Sequence, residues 1–382
     1  MVPKRAILYP MLAALASLST IASADLPLDQ ITVAKLSEPH PYRLYLTDPV
    51  INHLPDGKLT LIDGRNLKVE GMVSTGMFGQ TALSPDRSEI YVLTTYYAKL
   101  NRGQRTEEID VYDAKTLALK EEIPYPARHT QALPYGPALR TTADGRFILV
   151  QNATPATSVS IVNRKTGQHV AEVATPGCYM LYPAQSANRF ATLCGDGTML
   201  TVSLDDEGKP VDKKRSAKFF EAESDPLFVA APQEGDRYHF VTFHGQAVTI
   251  DVGGEVAKPG PFWSLLSAKD KSGGWRPGGY QPLAYHQESG TLYVAMHPKS
   301  YEGSHKNPAH EIWVYDLKSQ SRVARSRTPE ATGLAVSQGS APRLFAYNSE
   351  KASIAAFDGG RKLKLVRQAA NFGDMPTQLQ VQ

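Results

Sequence analysis

Side chains that could bind a metal are concentrated in one loop, HPKSYEGSHKNPAHEIW, which spans residues 297–313. Its histidines and their charged neighbours are His297, Lys299, Glu302, His305, Lys306 and His310. Zinc sites usually take histidines from a short regular spacing on one element and support them with further hydrogen bonds. Proline and glycine interrupt this loop, and it contains neither HxxxH on a helix nor HxH on a strand. We therefore predict no metal site here.

The sequence also lacks the common signatures of catalysis and nucleotide binding. GxSxG and GxxxxGK[ST] are absent, and no GxGxxG opens a helix. Adjacent carboxylates occur at Glu107-Glu108 and Asp205-Asp206, which fall at predicted strand edges and turns, where solvated charge is the usual explanation. We therefore predict that this chain supplies no catalytic residue.

The first 24 residues have the composition of an export signal. Lys4 and Arg5 precede an apolar run that ends in Ala22-Ser23-Ala24, which predicts a signal peptide over residues 1–24 and cleavage before Asp25. A membrane anchor is the alternative, but the run is short and contains Ser and Thr. Removing Lys4 and Arg5 lowers the net charge from +3 to +1, which is no footprint for nucleic acid or an anionic membrane. We expect a periplasmic protein.

Cys178 and Cys194 are the only cysteines of the chain. In an exported protein an even pair predicts a disulfide, which would contribute roughly 3 kcal/mol through chain entropy. Two free thiols in a packed sheet are the alternative.

A short apolar strand followed by an Asp or Asn turn recurs seven times in the mature chain. The turn residues are Asp63, Asp113, Asn163, Asp205, Asp251, Asp316 and Asp358. A second strand precedes each turn strand, as expected for the middle of a four-stranded antiparallel blade. The pattern predicts an all-β fold, a seven-bladed β-propeller occupying residues 25–382 as one domain. A pair of β-sandwiches or a β-helix is the alternative.

One interval of the repeat is long because it contains residues 263–286 and the histidine loop. Within PFWSLLSAKDKSGGW we predict a short helix, with Ser264 as its N-terminal cap and Gly273-Gly274 at its end.

Several long loops resemble the heavy subunit of the quinoprotein amine dehydrogenases. The segments are TTYYAKLNRGQRTEEIDVYDAKTL (94–117), LVQNATPATSVSIVN (149–163), GCYMLYP with CGDG (177–197), WRPGGYQPLAYH (275–286) and MHPKSYEGSHKNPAHEIWVYD (296–316). Within that family the chain looks closer to aromatic amine (aralkylamine) dehydrogenase than to methylamine dehydrogenase. The resemblance extends over nearly the whole mature chain.

The resemblance implies a division of labour between two kinds of subunit. The heavy subunit is a seven-bladed propeller in an assembly of two heavy and two light subunits. The small, Cys-rich light subunit carries the cofactor, tryptophan tryptophylquinone, and oxidises a primary amine to aldehyde and ammonia. Electrons then pass to a blue copper protein such as azurin or amicyanin. The family also implies a Cys178–Cys194 disulfide, and it makes Trp263, Trp275 and Trp313 packing residues rather than cofactor precursors.

The resemblance also implies a substrate-channel residue in STGMFGQTALSPD, residues 74–86. Ungapped alignment places Met77 where the family has a channel phenylalanine, with Phe78 beside it. A flexible, polarisable methionine would admit varied apolar amines. A one-residue gap would give the role to Phe78, and packing at a blade interface is the alternative for both residues.

Loop residues rich in aromatic and guanidinium groups are our candidates for the light-subunit interface, because such side chains are enriched in interfaces. They are Tyr96, Tyr97, Arg102, Arg105, Trp275, Arg276, Lys299, Glu302, His305 and Lys306. Two other functions stay open: a stand-alone propeller of the lactonase or YVTN-repeat kind, which hydrolyses or binds a small ligand, and a scaffold that has lost its catalytic partner.

Overall fold

The computed structural model describes residues 36–131 and 135–382. The predicted signal peptide, residues 1–24, lies outside the described residues. Strands make up most of the described chain, and among its residues no helix is long and apolar enough to cross a membrane.

The strands of the first half are β1 (Arg43–Asp48), β2 (Gly57–Asp63), β3 (Lys68–Leu83), β4 (Glu89–Tyr97), β5 (Arg105–Asp113), β6 (Leu119–Tyr125), β7 (Leu139–Thr141), β8 (Phe147–Asn152), β9 (Ser158–Asn163), β10 (His169–Ala174), β11 (Cys178–Pro183), β12 (Arg189–Cys194), β13 (Met199–Leu204) and β14 (Pro210–Arg215). Short 3₁₀ turns cover Ile51–Asp56 and Gly136–Ala138.

The second half contains β15 (Gln233–Glu234), β16 (Arg237–Val241), β17 (Gln246–Asp251), β18 (Lys258–Pro259), β19 (Trp263–Ser264), β20 (Arg276–Pro277), β21 (Leu283–His286), β22 (Thr291–His297), β23 (Ala309–Asp316), β24 (Ser321–Ala331), β25 (Gly333–Val336), β26 (Arg343–Asn348), β27 (Ser353–Asp358), β28 (Lys364–Ala369) and β29 (Gln378–Val381). The one α-helix of the described residues is α1 (Ala268–Ser272), and a 3₁₀ turn covers Ser304–Lys306.

These strands form seven antiparallel blades. The long strand β3 belongs to two of them, because it pairs with β2 as far as Gly76 and with β4 from Met77 onward. From the inner to the outer strand, the first two blades are therefore β29-β1-β2-β3 and β3-β4-β5-β6. Blades 3 and 4 are β7 to β10 and β11 to β14, and blade 7 is β25 to β28. Blade 5 has a broken outer strand, β18 with β19, and blade 6 a broken inner strand, β20 with β21.

Seven hydrophobic clusters show that the blades close into a ring. Each cluster joins two consecutive blades: one packs Leu93 and Ile109 of blade 2 against Leu139 of blade 3. The last cluster joins Phe345 of blade 7 to Leu44 of blade 1. Both faces of every blade are thus covered, which no single four-stranded sheet achieves alone. The predicted all-β propeller of four-stranded antiparallel blades is confirmed.

The recurrent turns work as the sequence predicts. Six of the seven turn side chains accept a hydrogen bond from a backbone N–H two or three residues downstream, the geometry of an Asx turn. These six are Asp63, Asp113, Asn163, Asp205, Asp251 and Asp316. Each turn links the third strand of a blade to the fourth.

The disulfide between Cys178 and Cys194 is present and joins neighbouring positions of β11 and β12. The predicted helix is also present, but its cap is not Ser264, which ends β19. The Ser267 hydroxyl accepts a hydrogen bond from the Asp270 backbone N–H, and the Asp270 carboxylate accepts one from the Ser267 backbone N–H. This reciprocal pair satisfies two free N–H groups of the helix start, which Ser264 is too far upstream to do.

Alternation of strand direction gives the ring two distinct ends. We call lower face the end with the Asp turns and the turns that link first to second strands. We call upper face the end with the loops from second to third strands and the connections between blades. The inner strands run from the upper to the lower face around a central channel.

Candidate functional site

All twelve residues predicted for the channel or the interface lie at the upper face. Tyr96, Tyr97, Arg102 and Arg105 flank the loop between β4 and β5 of blade 2. Trp275 and Arg276 end the connection from blade 5 to blade 6, and Lys299 to Lys306 lie in the loop between β22 and β23. Met77 and Phe78 lie where β3 becomes the inner strand of blade 2. The structure thus brings these residues to one end of the ring, but in two groups, on blades 2 and 6.

The blade 6 group is ordered by contacts with neighbouring loops. The Arg276 guanidinium lies 4.4 Å from the centre of the Phe243 ring and 3.8 Å from the Glu302 carboxylate. His305 packs edge-on to Phe243 at 6.2 Å, and the Ser300 backbone donates to the Gly274 carbonyl at 2.8 Å. Loops of blades 5 and 6 therefore form one surface.

The histidines of this loop serve separate partners. His297 is buried, and its Nδ1 lies 3.3 Å from the Pro298 carbonyl oxygen. Burial lowers the pKa of His297, and burial together with the Lys306 charge lowers the pKa of His305. The exposed side chains of the loop include Lys299, Glu302, His305 and Lys306. This pattern describes an ordered surface loop with charged groups directed outward.

The tryptophans of blade 6 are packed into the blade. Trp313 is fully buried, its indole N–H donates to Glu311 at 2.7 Å, and its ring centre lies 5.2 Å from that of half-buried Trp275. The Arg325 guanidinium covers both rings, at 4.7 Å from Trp275 and 4.5 Å from Trp313. Trp275 therefore offers only part of its ring to a partner.

Exposed apolar side chains also distinguish the two faces. Among the described residues, three large apolar side chains that remain exposed lie in upper-face loops: Ile51 at 47%, Leu100 at 72% and Tyr301 at 61%. The others lie on outer strands, except Phe262, which lies in the break between β18 and β19, and none lies in a lower-face loop. Apolar groups beside arginine and lysine are typical of a partner surface. Sequence reasoning missed these three residues because exposure cannot be read from residue type.

The predicted interface residues of blade 2 lie next to a buried cluster of ionisable side chains. Arg105 forms an ion pair with Glu107, and Glu107 also accepts the backbone N–H groups of Arg128 and His129 at 3.0 and 3.2 Å. The oxygen that accepts these two N–H groups, Oε2, also lies 2.7 Å from Nδ1 of the His129 ring, and both side chains are inaccessible to solvent. The expectation that Glu107-Glu108 is solvated is therefore wrong for Glu107. The alternation of residues along β5 indicates that Glu107 is buried, because Glu107 lies on the same face of the strand as Ile109 and Val111.

Phe78 lies against this buried group in an unusual backbone conformation. Its φ is +57°, in the left-handed region, where a bulge interrupts the pairing of β3 with β4. Such conformations cost about 1–3 kcal/mol and persist only where surrounding contacts impose them. The backbone of Phe78 approaches the His129 imidazole. Gly79 is required here, since a Cβ would lie 2.2 Å from the Thr75 carbonyl oxygen.

Met77 and Phe78 differ in what they present to the channel. Met77 is 8% exposed and pairs with Thr95 inside the blade, whereas Phe78 is half-buried at the mouth of the channel. Of the two, Phe78 has the larger surface open to a small molecule.

The Tyr96 hydroxyl is hydrogen-bonded to an acidic cluster on the opposite face of β5. Its hydroxyl donates to Asp110 at 2.8 Å, and Glu108, Asp110 and Glu122 hold carboxylate oxygens within 4.8 Å of one another. Burial and the neighbouring carboxylates raise the pKa of Glu108 and of Asp110. Because Tyr96 is half-buried, only part of its side chain is available to a partner.

The buried His129 makes stability depend on pH. Burial, with the positive charge of Arg105 adding to it, lowers the pKa of His129 to about 3. In the unfolded chain a histidine takes up its proton near pH 6.5, so the unfolded state binds more protons between these values. The free energy of unfolding should then fall by about 1.4 kcal/mol per pH unit below about 6.5.

His129→Gln should remove this contribution, so urea unfolding should show a stability gap between the two proteins that shrinks as pH falls below about 6.5. Exposed His310 provides the control, because His310→Gln should leave the pH dependence unchanged. A gap that widens toward acid would mean that His129 is charged in the folded protein.

Comparison with known proteins adds the following findings. The model of the methylamine dehydrogenase heavy chain (MADH) family matches residues 40–381. The methylamine dehydrogenase heavy chain of Methylophilus methylotrophus is 27% identical over 336 residues, covering 86% of this chain and 81% of that protein. The heavy chain of Methylorubrum extorquens is 26% identical over 359 residues, covering 91% and 86%.

Solved structures share the fold at low sequence identity. A putative 6-phosphogluconolactonase from Bacteroides uniformis superposes with a TM-score of 0.63 at 12% identity, covering 90% of this chain and all of that one. Dihydro-heme d1 dehydrogenase NirN gives a TM-score of 0.56 at 15% identity, covering 90% and 76%. These two likenesses concern the fold alone.

Proposed function

Because the chain belongs to the methylamine dehydrogenase heavy chain family, we propose that it is the heavy subunit of a periplasmic amine dehydrogenase. The family match spans the whole propeller, and this observation carries the proposal. The partner is a small, Cys-rich light subunit that holds tryptophan tryptophylquinone, in an assembly of two heavy and two light chains. When present in that subunit, the quinone accepts the electrons of a primary amine, which leaves as aldehyde and ammonia.

This chain contributes structure rather than catalytic groups. Trp313 and Trp275 support that role, since Trp313 is buried and hydrogen-bonded and the Trp275 ring packs against it at a tilt beneath Arg325. The propeller serves as a scaffold, its upper face as the docking surface, and Phe78 as part of the wall of the substrate channel. His129 and Glu107 fix the backbone that presents Phe78.

The upper face is the docking surface because charged and apolar side chains occur there together. Arg276, Lys299 and Lys306 belong to the same upper-face loops of blade 6 as exposed Tyr301, and Arg102 lies two residues from exposed Leu100 on blade 2. A partner that covers both groups would span the opening of the channel and the Phe78 ring.

We propose primary amines with an aromatic or arylalkyl group as the preferred substrates, with a blue copper protein of the azurin or amicyanin kind as electron acceptor. Two residues support this preference: a methionine lies at the aligned position of the family's phenylalanine, and the half-buried Phe78 follows it. Methylamine is the alternative substrate. The lactonase alternative has only a likeness of fold in its favour.

Co-expression with the exported light subunit and its maturation proteins tests the assembly. Light scattering of the co-purified complex should give the mass of two heavy and two light chains. A light subunit that matures and elutes without this chain would contradict the proposal.

Substitutions at the channel mouth should change substrate preference. Phe78→Ala in the complex should lower kcat/KM for phenylethylamine relative to methylamine by about tenfold, because the ring provides apolar contact to the larger amine. Met77→Phe should shift the same ratio less, because Met77 is buried. Met77→Leu is the control of matched volume. Unchanged ratios in both variants would place the channel elsewhere.

A further inference from the structure

The central channel contains a cavity of about 480 Å³ that reaches toward the lower face. Every blade contributes to its wall, including Gln378–Val381 of blade 1, Ala82–Pro85 and Arg87 of blade 2, and Leu334–Val336 and Gln338 of blade 7. Its volume falls within the range of small-molecule sites. The upper-face residues discussed above do not line it.

Only two charged residues line this cavity, and both are arginines. Arg87 extends from the turn between β3 and β4, and Arg140 from the inner strand β7. Among the described residues neither guanidinium has a carboxylate within 4.0 Å. Arg87 makes one long hydrogen bond, 3.4 Å to the Val381 carbonyl, and Arg140 makes no side-chain hydrogen bond to another described residue. Arg146 and Arg164, on the same face, are both paired with carboxylates.

The protein surrounds both guanidiniums without neutralising them. Burial lowers the pKa of Arg140, and burial with the neighbouring charge of Arg140 lowers the pKa of Arg87. Both side chains keep part of their surface open to the cavity. Two like charges in a partly desolvated space are unfavourable unless an anion joins them.

The rest of the polar wall is neutral, and most of its glutamine amides are already bonded. Five glutamine amides donate to backbone carbonyls, largely across neighbouring inner strands: Gln233, Gln281, Gln338, Gln378 and Gln380. These amides hold the ring of inner strands together and provide no negative charge. The two arginines are thus the charged groups of the wall that remain available to bind a ligand.

We propose that the lower part of the central channel binds a compact oxyanion, a phosphate or a small carboxylate, through Arg87 and Arg140. Guanidinium presents paired N–H donors that match the oxygens of both anions in a bidentate manner. Aliphatic side chains such as Leu283 and Val336 form other parts of the wall, so the cavity is limited to a small ligand. This site is independent of amine oxidation at the upper face.

Calorimetric titration of the purified mature chain with inorganic phosphate, and separately with succinate, tests the proposal. We expect saturable binding of one anion per chain in at least one titration, and the anion that binds identifies the class. Arg87→Gln or Arg140→Gln should weaken binding by at least about tenfold, and the double variant should abolish it. Arg146→Gln, which removes an exposed and paired arginine from the same face, should leave it unchanged.

Circular dichroism establishes that each variant is folded, and the wild-type titration stands without any variant. Arg140→Lys keeps the charge but loses the fork of donors, so it should bind more weakly than wild type and more tightly than Arg140→Gln. Absence of saturation with both anions at millimolar concentration would overturn the proposal, as would undiminished binding in a folded double variant.

Discussion

Purified alone, the chain is expected to be colourless and to reduce no dye with any primary amine as donor. Co-expressed with its light subunit and maturation proteins, it should give a complex that reduces the dye with phenylethylamine. The physical reason is that the described residues of the channel mouth provide packing and ordered backbone, but no nucleophile or base directed at a substrate. The difference should be all or none in a steady-state dye assay.

The control is the light subunit expressed with its maturation proteins but without this chain, which separates loss of the scaffold from loss of the cofactor. Amine-dependent dye reduction by the isolated chain would refute the division of labour. The genes beside this one should include a short, exported, Cys-rich chain, and a genome without one would leave the scaffold hypothesis in its place.

Charge reversal on the upper face is expected to abolish assembly. Arg276→Glu combined with Lys306→Glu places two negative charges on the loops of blades 5 and 6 that Phe243 and His305 hold together. An interfacial guanidinium or ammonium lost in this way typically costs 2–5 kcal/mol when its partner remains buried and unpaired. Size-exclusion chromatography of the co-expressed chains should show no complex.

Arg361→Glu is the matched control, because Arg361 is an exposed arginine of a lower-face turn, 3.4 Å from Asp316. It should leave the complex intact. Arg102→Glu tests the blade 2 group separately, and weakened assembly there would show that the partner spans both groups. If the lower-face reversal disrupts the complex and the upper-face pair does not, the assignment of the faces is wrong.

The elements that were predictable from the sequence are those governed by local chemistry. Asp63, Asp113 and their counterparts recur because each turn needs a side chain that accepts its own downstream N–H. The strands before these turns alternate between apolar and polar residues. Because both faces of each of the seven units must be covered, a closed ring is the expected arrangement. The short helix was predicted on the same local grounds, but its cap was misplaced by three residues because Ser264 and Ser267 are chemically alike.

Groups assembled from distant segments were not predictable. Glu107 and His129 are separated by 22 residues, and their contact depends on how the outer strand of blade 2 leads to the inner strand of blade 3. Arg87 and Arg140 belong to different blades, and each alone looks like an ordinary surface arginine. Packing between segments that are distant in the sequence determines which ionisable groups are buried. The repeat pattern of the sequence does not show this packing.

Closure of the ring depends on the last strand of the chain, β29. Blade 1 is complete only when β29 pairs with β1, and the Tyr45 hydroxyl then donates to Gln382, 337 residues away, at 2.6 Å. Pairing at such separation is slow, because loop closure must precede any gain from contact. A chain whose last residues are not yet synthesised therefore has an open ring, with the walls of its first and last blades uncovered. The propeller can close only after the carboxyl-terminal strand has been made.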